Sequence, residues 1–189
     1  MNNLSDRIWW TKKARIKAEK RLLNFEFYSQ LILLWYSFFL ICASIYELKK
    51  PSLNDDATIS MIALSVLVFA ATLFISTRNF KERAMLVKQC YEQLSILLSK
   101  SKIEGCDFVG LESEYQNILS ISENHKESDF NTAVVSEYYY STKDKRDALN
   151  KKPTCIQIIS VVLNKTFYLA YILFLLSCPI IIYSCLRLH

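Results

Sequence analysis

The fold of this chain is decided by two long apolar runs, FYSQLILLWYSFFLICASIY at Phe27–Tyr46 and ATISMIALSVLVFAATLFIST at Ala57–Thr77. They contain 20 and 21 uncharged residues. At about 1.5 Å of helix per residue, each run is about 30 Å long, which is the thickness of the hydrocarbon core of a bilayer. A run of this length can satisfy its backbone hydrogen bonds in lipid only as a helix. The two runs therefore predict a transmembrane helical hairpin in an all-α integral membrane protein.

A third apolar run, Thr166–Leu186, has 21 uncharged residues and predicts a third, C-terminal transmembrane helix. Lys165 separates this run from the apolar residues that follow Pro153. A lysine at the centre of a bilayer costs about 2.5–3.5 kcal/mol on insertion scales, so we expect Lys165 at the membrane interface. The segment Pro153–Asn164 is then either an interfacial helix or a continuation of the third span.

The charged residues are segregated from these runs. Hydrophobic residues make up 52% of the chain and charged residues 22%, and the two figures coexist because the charges lie between the apolar runs. Glycine occurs only at Gly105 and Gly110, which predicts long helices with few, short connections. The six cysteines have no spacing typical of a disulfide framework, and Cys42, Cys178 and Cys185 lie in apolar runs. We interpret them as reduced, small hydrophobic residues.

Residues 1–26 form a basic segment directly before the first span. Tryptophans beside lysines and arginines are typical of a helix at the level of the lipid headgroups. A nucleic-acid-binding arm is the alternative, because basic and aromatic residues together can bind phosphates. The position immediately before a transmembrane helix favours the membrane, and we expect no direct binding of nucleic acid. The residues assigned to the membrane interface are Trp9, Trp10, Lys12, Lys13, Arg15 and Lys165.

Lysine and arginine are concentrated on both outer flanks of the hairpin. They occur in the basic segment and again from Arg78 onward, whereas the link Glu47–Asp56 is nearly neutral. By the positive-inside rule, the N-terminus and the polar middle of the chain are cytoplasmic, and three spans place the C-terminus outside. The predicted organisation is a basic interfacial helix (1–26), the transmembrane hairpin (27–77), a cytoplasmic helical region (78–152), and an interfacial segment with the third span (153–189).

The cytoplasmic region carries one apolar stripe at alternating steps of four and three residues, which is the spacing of a coiled coil. Because no proline or glycine lies between Thr77 and Leu98, we expect this helix to continue the second span without a break. Residues 101–110 should turn the chain before two more helices, near Leu111–Ser122 and Asn131–Asn150. We interpret the region as a helical bundle that packs on itself or on neighbouring copies, with the stripe as its oligomer or partner surface. The stripe comprises Phe80, Ala84, Val87, Tyr91, Leu94 and Leu98.

Each span also has three small or polar side chains spaced seven residues apart. Seven residues are nearly two helical turns, so each trio lies on one helix face. Such faces allow helices to approach closely in lipid. They indicate either packing within one chain or the lining of a water-accessible path in an oligomer. No charged ring or carbonyl filter supports an ion-selective channel. These seam residues are Gln30, Ser37, Ser44, Ala63, Ala70, Thr77, Ala170, Ser177 and Ser184.

Enzyme signatures are absent from the sequence. It has no glycine-rich phosphate loop, no metal-ligand spacing and no nucleophile elbow. The imidazoles are those of His125 and His189, and the polar run Ser122–His125 is typical of a turn that caps helices. We therefore predict a protein without catalytic activity and without a cofactor or a metal ion.

The sequence resembles a known family at two places. The basic segment has the pattern Arg7-x-Trp9-Trp10-Thr11-Lys12-Lys13-Ala14-Arg15-x-x-Ala18 followed by Arg21-Leu22, and the polar middle has Tyr115…Ser122-Glu123-Asn124-His125…Asp129-Phe130. Both are similar to the SLATT domains, the two-transmembrane effector domains associated with SMODS nucleotidyltransferases and SLOG sensors. The resemblance covers roughly residues 5 to 150, and the third span resembles the variant with an added C-terminal transmembrane helix.

The resemblance implies an effector of a bacterial conflict system that acts in antiviral defence by abortive infection. Such domains are thought to perforate or depolarise the inner membrane when a partner detects infection. The expected partners are the lipid bilayer and further copies of the chain. The resemblance adds a nucleotidyltransferase, its cyclic-oligonucleotide product, or a reverse transcriptase system encoded nearby. The residues alone leave open a second hypothesis, in which the chain is a non-catalytic membrane anchor that recruits a cytoplasmic partner.

Overall fold

A computed structural model describes residues 3–50, 56–103, 107–147 and 149–188 of the chain. These residues contain no strand, and three of the helices include apolar segments long enough to cross a membrane. The predicted all-α membrane protein with a transmembrane hairpin and a third C-terminal span is therefore confirmed. The helices are α1 (Asn3–Lys49), α2 (Asp56–Ser76), α3 (Phe80–Lys100), α4 (Phe108–Leu119), α5 (Glu127–Tyr140), α6 (Lys143–Asp147) and α7 (Cys155–Leu188).

The chain divides into two compact units. Unit 1 combines Met1–Asn24 with Phe80–Lys165, and unit 2 combines Phe25–Asn79 with Thr166–His189. Two helices belong to both units, because α1 runs unbroken from Asn3 to Lys49 and α7 from Cys155 to Leu188. The first half of α1 is thus part of the polar unit, and its second half is the first span.

The core of unit 1 is built on two matching heptad stripes. On α1, the side chains that point inward recur at steps of four and three: Leu4, Ile8, Thr11, Arg15, Ala18 and Leu22. Leu4 and Ile8 pack with the end of α3 around Leu94, whereas Leu22 packs with its beginning at Val87. The two helices are therefore antiparallel, and each fills the seam of the other in the manner of a coiled coil.

α4 closes the same core from a second side. Leu111, Tyr115 and Ile118 are buried on one face of this helix and belong to the cluster around Leu94. The Asp107 carboxylate caps the helix by accepting a hydrogen bond from the backbone N–H of Val109 at 3.0 Å. The predicted helix near Leu111–Ser122 thus exists, but it begins earlier and ends at Leu119, which leaves Ser122 in the connection to α5.

The second span does not continue into α3, and this prediction was wrong. α2 ends at Ser76, and α3 begins at Phe80 after a turn in which Asn79 has a φ of 47°. Asparagine adopts this left-handed conformation more readily than most residues, because its short amide can hydrogen-bond locally. The prediction considered only proline and glycine as residues that end a helix. The helices that do pass unbroken from polar to apolar sequence are α1 and α7.

The helix predicted at Asn131–Asn150 is in fact two helices. α5 already begins at Glu127 and ends at Tyr140, where Ser141 turns to an extended conformation with φ −81° and ψ 147°. Serine and threonine compete with the helix for backbone hydrogen bonds and so favour helix ends. In the segment Pro153–Asn164, the residues from Cys155 onward are helical and continuous with the third span in α7, and their place at the membrane interface stays a prediction. The turn predicted at 101–110 and the hairpin link lie partly outside the described residues.

In unit 2, a side chain of α1 replaces a backbone hydrogen-bond donor that α7 lacks. Pro179 lies inside this helix, and a proline has no N–H to donate to the carbonyl four residues earlier, which is that of Leu175. The Tyr36 hydroxyl of α1 donates to this Leu175 carbonyl at 2.9 Å, and Trp35 Nε1 donates to the Leu176 carbonyl at 3.0 Å. A bilayer offers no water to satisfy a freed carbonyl, so Tyr36 of the first span supplies the donor that the third span lacks at Leu175.

This pairing predicts a specific double-mutant result. Tyr36→Phe should destabilise the chain by about 1 kcal/mol, because the Leu175 carbonyl loses its donor within the membrane. Pro179→Ala restores an N–H at the right place, so Tyr36→Phe should cost almost nothing in a Pro179→Ala background. Thermal unfolding of the four full-length proteins in detergent measures both effects. Equal losses in the two backgrounds would show that the hydroxyl does not replace the missing N–H.

Candidate functional site

The connection between α4 and α5, residues 120–126, is held by a buried arginine of α1. Arg15 is 1% exposed. Its guanidinium donates to the carbonyls of Leu119 at 3.3 Å and Glu123 at 3.0 Å, and it also contacts the Ser122 hydroxyl. Leu119 is the last residue of α4, where the free carbonyls of a helix carry partial negative charge. Arg15 therefore caps α4 with a full positive charge.

The same helix of unit 1 holds the beginning of α5. Arg21 forms a two-pronged ion pair with Asp129, with Nε–Oδ1 and Nη2–Oδ2 distances of 2.8 and 3.0 Å. The Asp129 carboxylate also accepts a hydrogen bond from the backbone N–H of Lys126 at 2.9 Å, which satisfies a free donor at the start of α5. Arg15 and Arg21 lie less than two turns apart on α1. They therefore bind the two ends of the connection between α4 and α5.

α3 contacts this connection as well. Arg83 donates to both carboxylate oxygens of Glu123 at 2.6 and 2.7 Å, at the protein surface. Deeper in the unit, the Cys90 thiol contacts the Ile118 carbonyl at 3.3 Å. Burial raises the pKa of the Cys90 thiol, while the Arg15 charge opposes that shift. The thiol is therefore protonated at neutral pH and acts as a donor to the end of α4.

His125 lies in the connection between the two arginine contacts. Burial lowers the pKa of its imidazole, and the nearby Arg15 charge lowers it further, whereas Asp129 raises it. Its Nδ1 atom is buried and has no hydrogen-bond partner within the described residues. The ring lies beside Phe130, with centroids 6.3 Å apart. At neutral pH the imidazole is therefore uncharged, which avoids placing a second cation beside Arg15.

These side chains form what we name the polar junction, which joins α1, α3, α4 and α5 in unit 1. Nowhere in the described ranges do three or more His, Cys, Asp or Glu side chains approach closely enough to hold a metal ion. The junction consists of ion pairs and helix caps, so its effect is to set the positions of helices relative to one another. Its members are Arg15, Arg21, Arg83, Ser122, Glu123, His125 and Asp129.

The stripe predicted as an oligomer or partner surface faces the interior of unit 1. Ala84, Val87, Leu94 and Leu98 are buried by the chain itself, and Phe80 and Tyr91 are half-buried. Burial, followed by a hydrogen bond to Glu19, raises the pKa of Tyr91 to about 12. A role of this stripe in an oligomer stays a prediction, and in this structure its surface is already covered by α1 and α4.

The seam residues of the spans have the opposite placement. Eight of the nine are exposed and Ser177 is half-buried, so packing within one chain does not cover them. Three of their hydroxyls bond within their own stretch of chain: Ser37 donates to the Leu33 carbonyl at 2.9 Å, Thr77 to the Phe74 carbonyl at 2.7 Å and Ser177 to the Phe174 carbonyl at 3.0 Å. The lining of a path by the three trios stays a prediction.

The residues assigned to the membrane interface separate into two groups. Trp10 is 4% exposed and Arg15 1%, so these two have almost no surface left to offer a headgroup. Trp10 instead packs against Phe130, with ring centroids 6.1 Å apart. The other four keep accessible surface, and their contact with headgroups stays a prediction: Trp9, Lys12, Lys13 and Lys165.

Sequence reasoning missed Arg21, Asp129 and Arg83 as members of a site. The signal that could have located it is the heptad of α1, whose inward positions include Ile8, Ala18 and Leu22 in a strongly basic segment. An arginine in such a seam, at position 15, marks a buried charge that needs carbonyl or carboxylate partners.

The ion pair at the start of α5 predicts a marked loss of stability when it is removed. Asp129→Ala should destabilise unit 1 by about 2–4 kcal/mol, because Arg21 loses its carboxylate and the N–H of Lys126 loses its acceptor. The matched control is Glu114→Ala, which removes an exposed pair with Lys100 and should have almost no effect. Thermal unfolding in detergent, followed by circular dichroism, compares the two. Equal melting temperatures would contradict this role of Asp129.

His125 predicts a pH dependence of known sign. Because its folded pKa is lowered, the unfolded chain binds more protons than the folded chain below the usual pKa of about 6.5. Stability from this group is therefore complete above pH 6.5 and is lost as the pH falls toward the folded pKa. His125→Asn should flatten the fall in melting temperature between pH 7.5 and 5.5, and Asn124→Ala should leave it as in the wild type. Parallel pH profiles for wild type and His125→Asn would contradict the assignment.

A family model covers nearly the whole length of the chain. No curated protein and no solved structure matches the chain. A family model described as SMODS and SLOG-associating 2TM effector domain family 5 matches residues 1–185. The match includes the polar junction and nearly all of α7, and so extends over unit 1 and all three spans. The chain therefore belongs to family 5 of the SMODS and SLOG-associating two-transmembrane effector domains.

Proposed function

We propose that this protein perforates or depolarises the bacterial inner membrane when a partner in its conflict system detects infection. Family membership indicates a membrane effector of such a system. The finer proposal rests on the surfaces of the spans that the described residues leave uncovered. None of the most apolar stretch of α2 is buried, and the seam faces of the spans are exposed. Surfaces of this kind, lined by small and hydroxyl side chains, are the ones through which helices associate in lipid.

The orientation belongs to the same proposal. Lysine and arginine flank the first and second spans on the side of unit 1, which favours unit 1 in the cytoplasm and the C-terminus outside. In that orientation the polar junction is accessible to a cytoplasmic signal. The signal can come from a nucleotidyltransferase, its cyclic-oligonucleotide product or a reverse transcriptase system encoded nearby, and the family description names SMODS and SLOG as associates.

The route from signal to membrane passes through α1 in this proposal. The chain turns at Asn79 between α2 and α3. The second span therefore has no continuous helical link to α3. α1 carries Arg15 and Arg21 of the polar junction and continues as the first span without interruption. A trigger that rearranges the α4–α5 connection releases these arginines, and the freed α1 carries the change into the membrane, where copies of the chain associate.

The anchor hypothesis is supported by a different surface. Val87 and Leu94, which the sequence suggested as partner contacts, are 1% and 0% exposed, so charged substitutions there would unfold unit 1. The outer face of α3 does offer accessible apolar side chains, Met85 at 64% and Ile96 at 61% exposure. A partner bound there would use unit 1 as a docking platform and leave the permeability of the membrane unchanged.

Membrane potential distinguishes the two functions. Bacteria that express the chain with its neighbouring gene products should lose their potential after phage challenge, as reported by a potential-sensitive dye. Asn24→Pro places a helix break in α1 at an exposed position where unit 1 ends, and should abolish this depolarisation while the protein stays in the carbonate-resistant membrane fraction. Asn24→Ala is the matched control and should depolarise as the wild type does.

Each outcome of this experiment decides a point. A wild-type chain that binds its partner but never depolarises the membrane supports the anchor and removes the effector mechanism proposed here. An Asn24→Pro variant that depolarises fully keeps the effector but shows that the signal does not pass through α1.

A further inference from the structure

Unit 1 has a cluster of lysines at the end from which its helices run into the spans. Lys13, Lys17 and Lys20 are spaced by four and three residues on α1 and therefore share one face. Lys165 of α7 is close enough for its charge to act on Lys17. The acid that faces this group is Glu137 of α5, which pairs with Lys13 at 2.7 Å. The charges of Lys13, Lys20, Lys165 and Glu137 thus all act on Lys17.

Three of these lysines form no ion pair with the carboxylates that the structure describes. Within the described residues, Lys17, Lys20 and Lys165 have no carboxylate within ion-pair distance. Lys17 is half-buried, and burial lowers its pKa; Glu137 opposes that shift, whereas the other three lysines add to it. The four like charges repel one another, and a bound anion would relieve that repulsion. The cluster is therefore a concentration of positive charge that favours the binding of an anion.

The cluster extends from the level of the lipid headgroups into unit 1. Lys165 directly precedes the third span, and Lys20 and Lys17 lie seven and ten residues before Phe27, which is roughly 10 and 15 Å along a helix. The headgroup region extends some 5–8 Å beyond the hydrocarbon core on each side, and a lysine side chain can reach across the difference. The phosphate of a lipid lies at this depth in the membrane, whereas a soluble anion has no preference for it.

We propose that Lys17, Lys20 and Lys165 bind the phosphate group of an anionic phospholipid in the leaflet next to unit 1. The ammonium groups donate charge-assisted hydrogen bonds to the phosphate oxygens, while Lys13 stays paired with Glu137. The site differs from a general basic flank in that two helices contribute to it and its central lysine is half-buried. It does not depend on whether the protein depolarises the membrane.

The test uses the full-length protein in a nonionic detergent and titrates lipid into it. Phosphatidylglycerol should raise the melting temperature by roughly 5–10 °C at a lipid concentration 100-fold above Kd, and native mass spectrometry should detect the bound lipid. The triple variant Lys17→Gln, Lys20→Gln, Lys165→Gln should bind about 100-fold more weakly, because each lysine near an anionic lipid strengthens binding several-fold. The matched control removes the same charge elsewhere in unit 1, with Lys102→Gln, Lys143→Gln and Lys145→Gln, and should bind as the wild type does.

The other arms identify the source of the phosphate. Phosphatidylcholine, which carries no net charge, should produce little shift, and inorganic phosphate at the same concentration should produce none. An equal shift with inorganic phosphate would overturn the assignment to a lipid in favour of a soluble phosphate compound. Equal binding of phosphatidylglycerol by both triple variants would overturn the site itself. The melting temperature in detergent alone checks folding, and removing three mutually repelling charges should not lower it.

Discussion

The structure of unit 1 depends on a buried positive charge that no carboxylate neutralises. In the described part of the chain, Arg15 has no acid within ion-pair distance, and its guanidinium donates to carbonyl oxygens at the end of α4. Burying an unpaired charge is expensive, so the helix terminus must supply most of the compensation through its free carbonyls and its dipole. Such compensation exists only while α1 and α4 keep their geometry. The charge therefore makes the arrangement of unit 1 specific rather than merely compact.

This constraint explains why a basic segment next to a membrane folds with the polar unit. Hydrophobic burial acts on Leu4, Ile8, Trp10 and Leu22, but such burial is not directional. The polar contacts of Arg15 and Arg21 add direction to that attraction, because bidentate and carbonyl hydrogen bonds tolerate little misalignment. One helix is thereby both a wall of the polar core and, further along, a transmembrane span.

The sequence predicted the parts of this fold that depend on length and apolar periodicity. Unbroken apolar runs located the spans, and steps of four and three residues located α3 with Leu94 and Val87 inward. The break at Asn79 was not predicted, because only proline and glycine were considered as helix breakers, although asparagine also adopts the left-handed conformation that ends a helix. Nor did the sequence predict the polar junction: Arg21 and Asp129 are 108 residues apart, and only the packing of α1 antiparallel to α3 and parallel to α4 brings them together.

The spans expose several polar side chains on surfaces that would face lipid. Ser37, Thr77 and Ser177 each donate to a carbonyl three or four residues earlier, so their hydroxyls are satisfied without a neighbouring helix. A lipid-exposed seam is then inexpensive while the chain is alone, and the same hydroxyls can turn toward water or another helix on association. The hydroxyls at these positions therefore oppose neither arrangement. Under the proposed function, only a modest bias from the polar unit is then needed to choose between them.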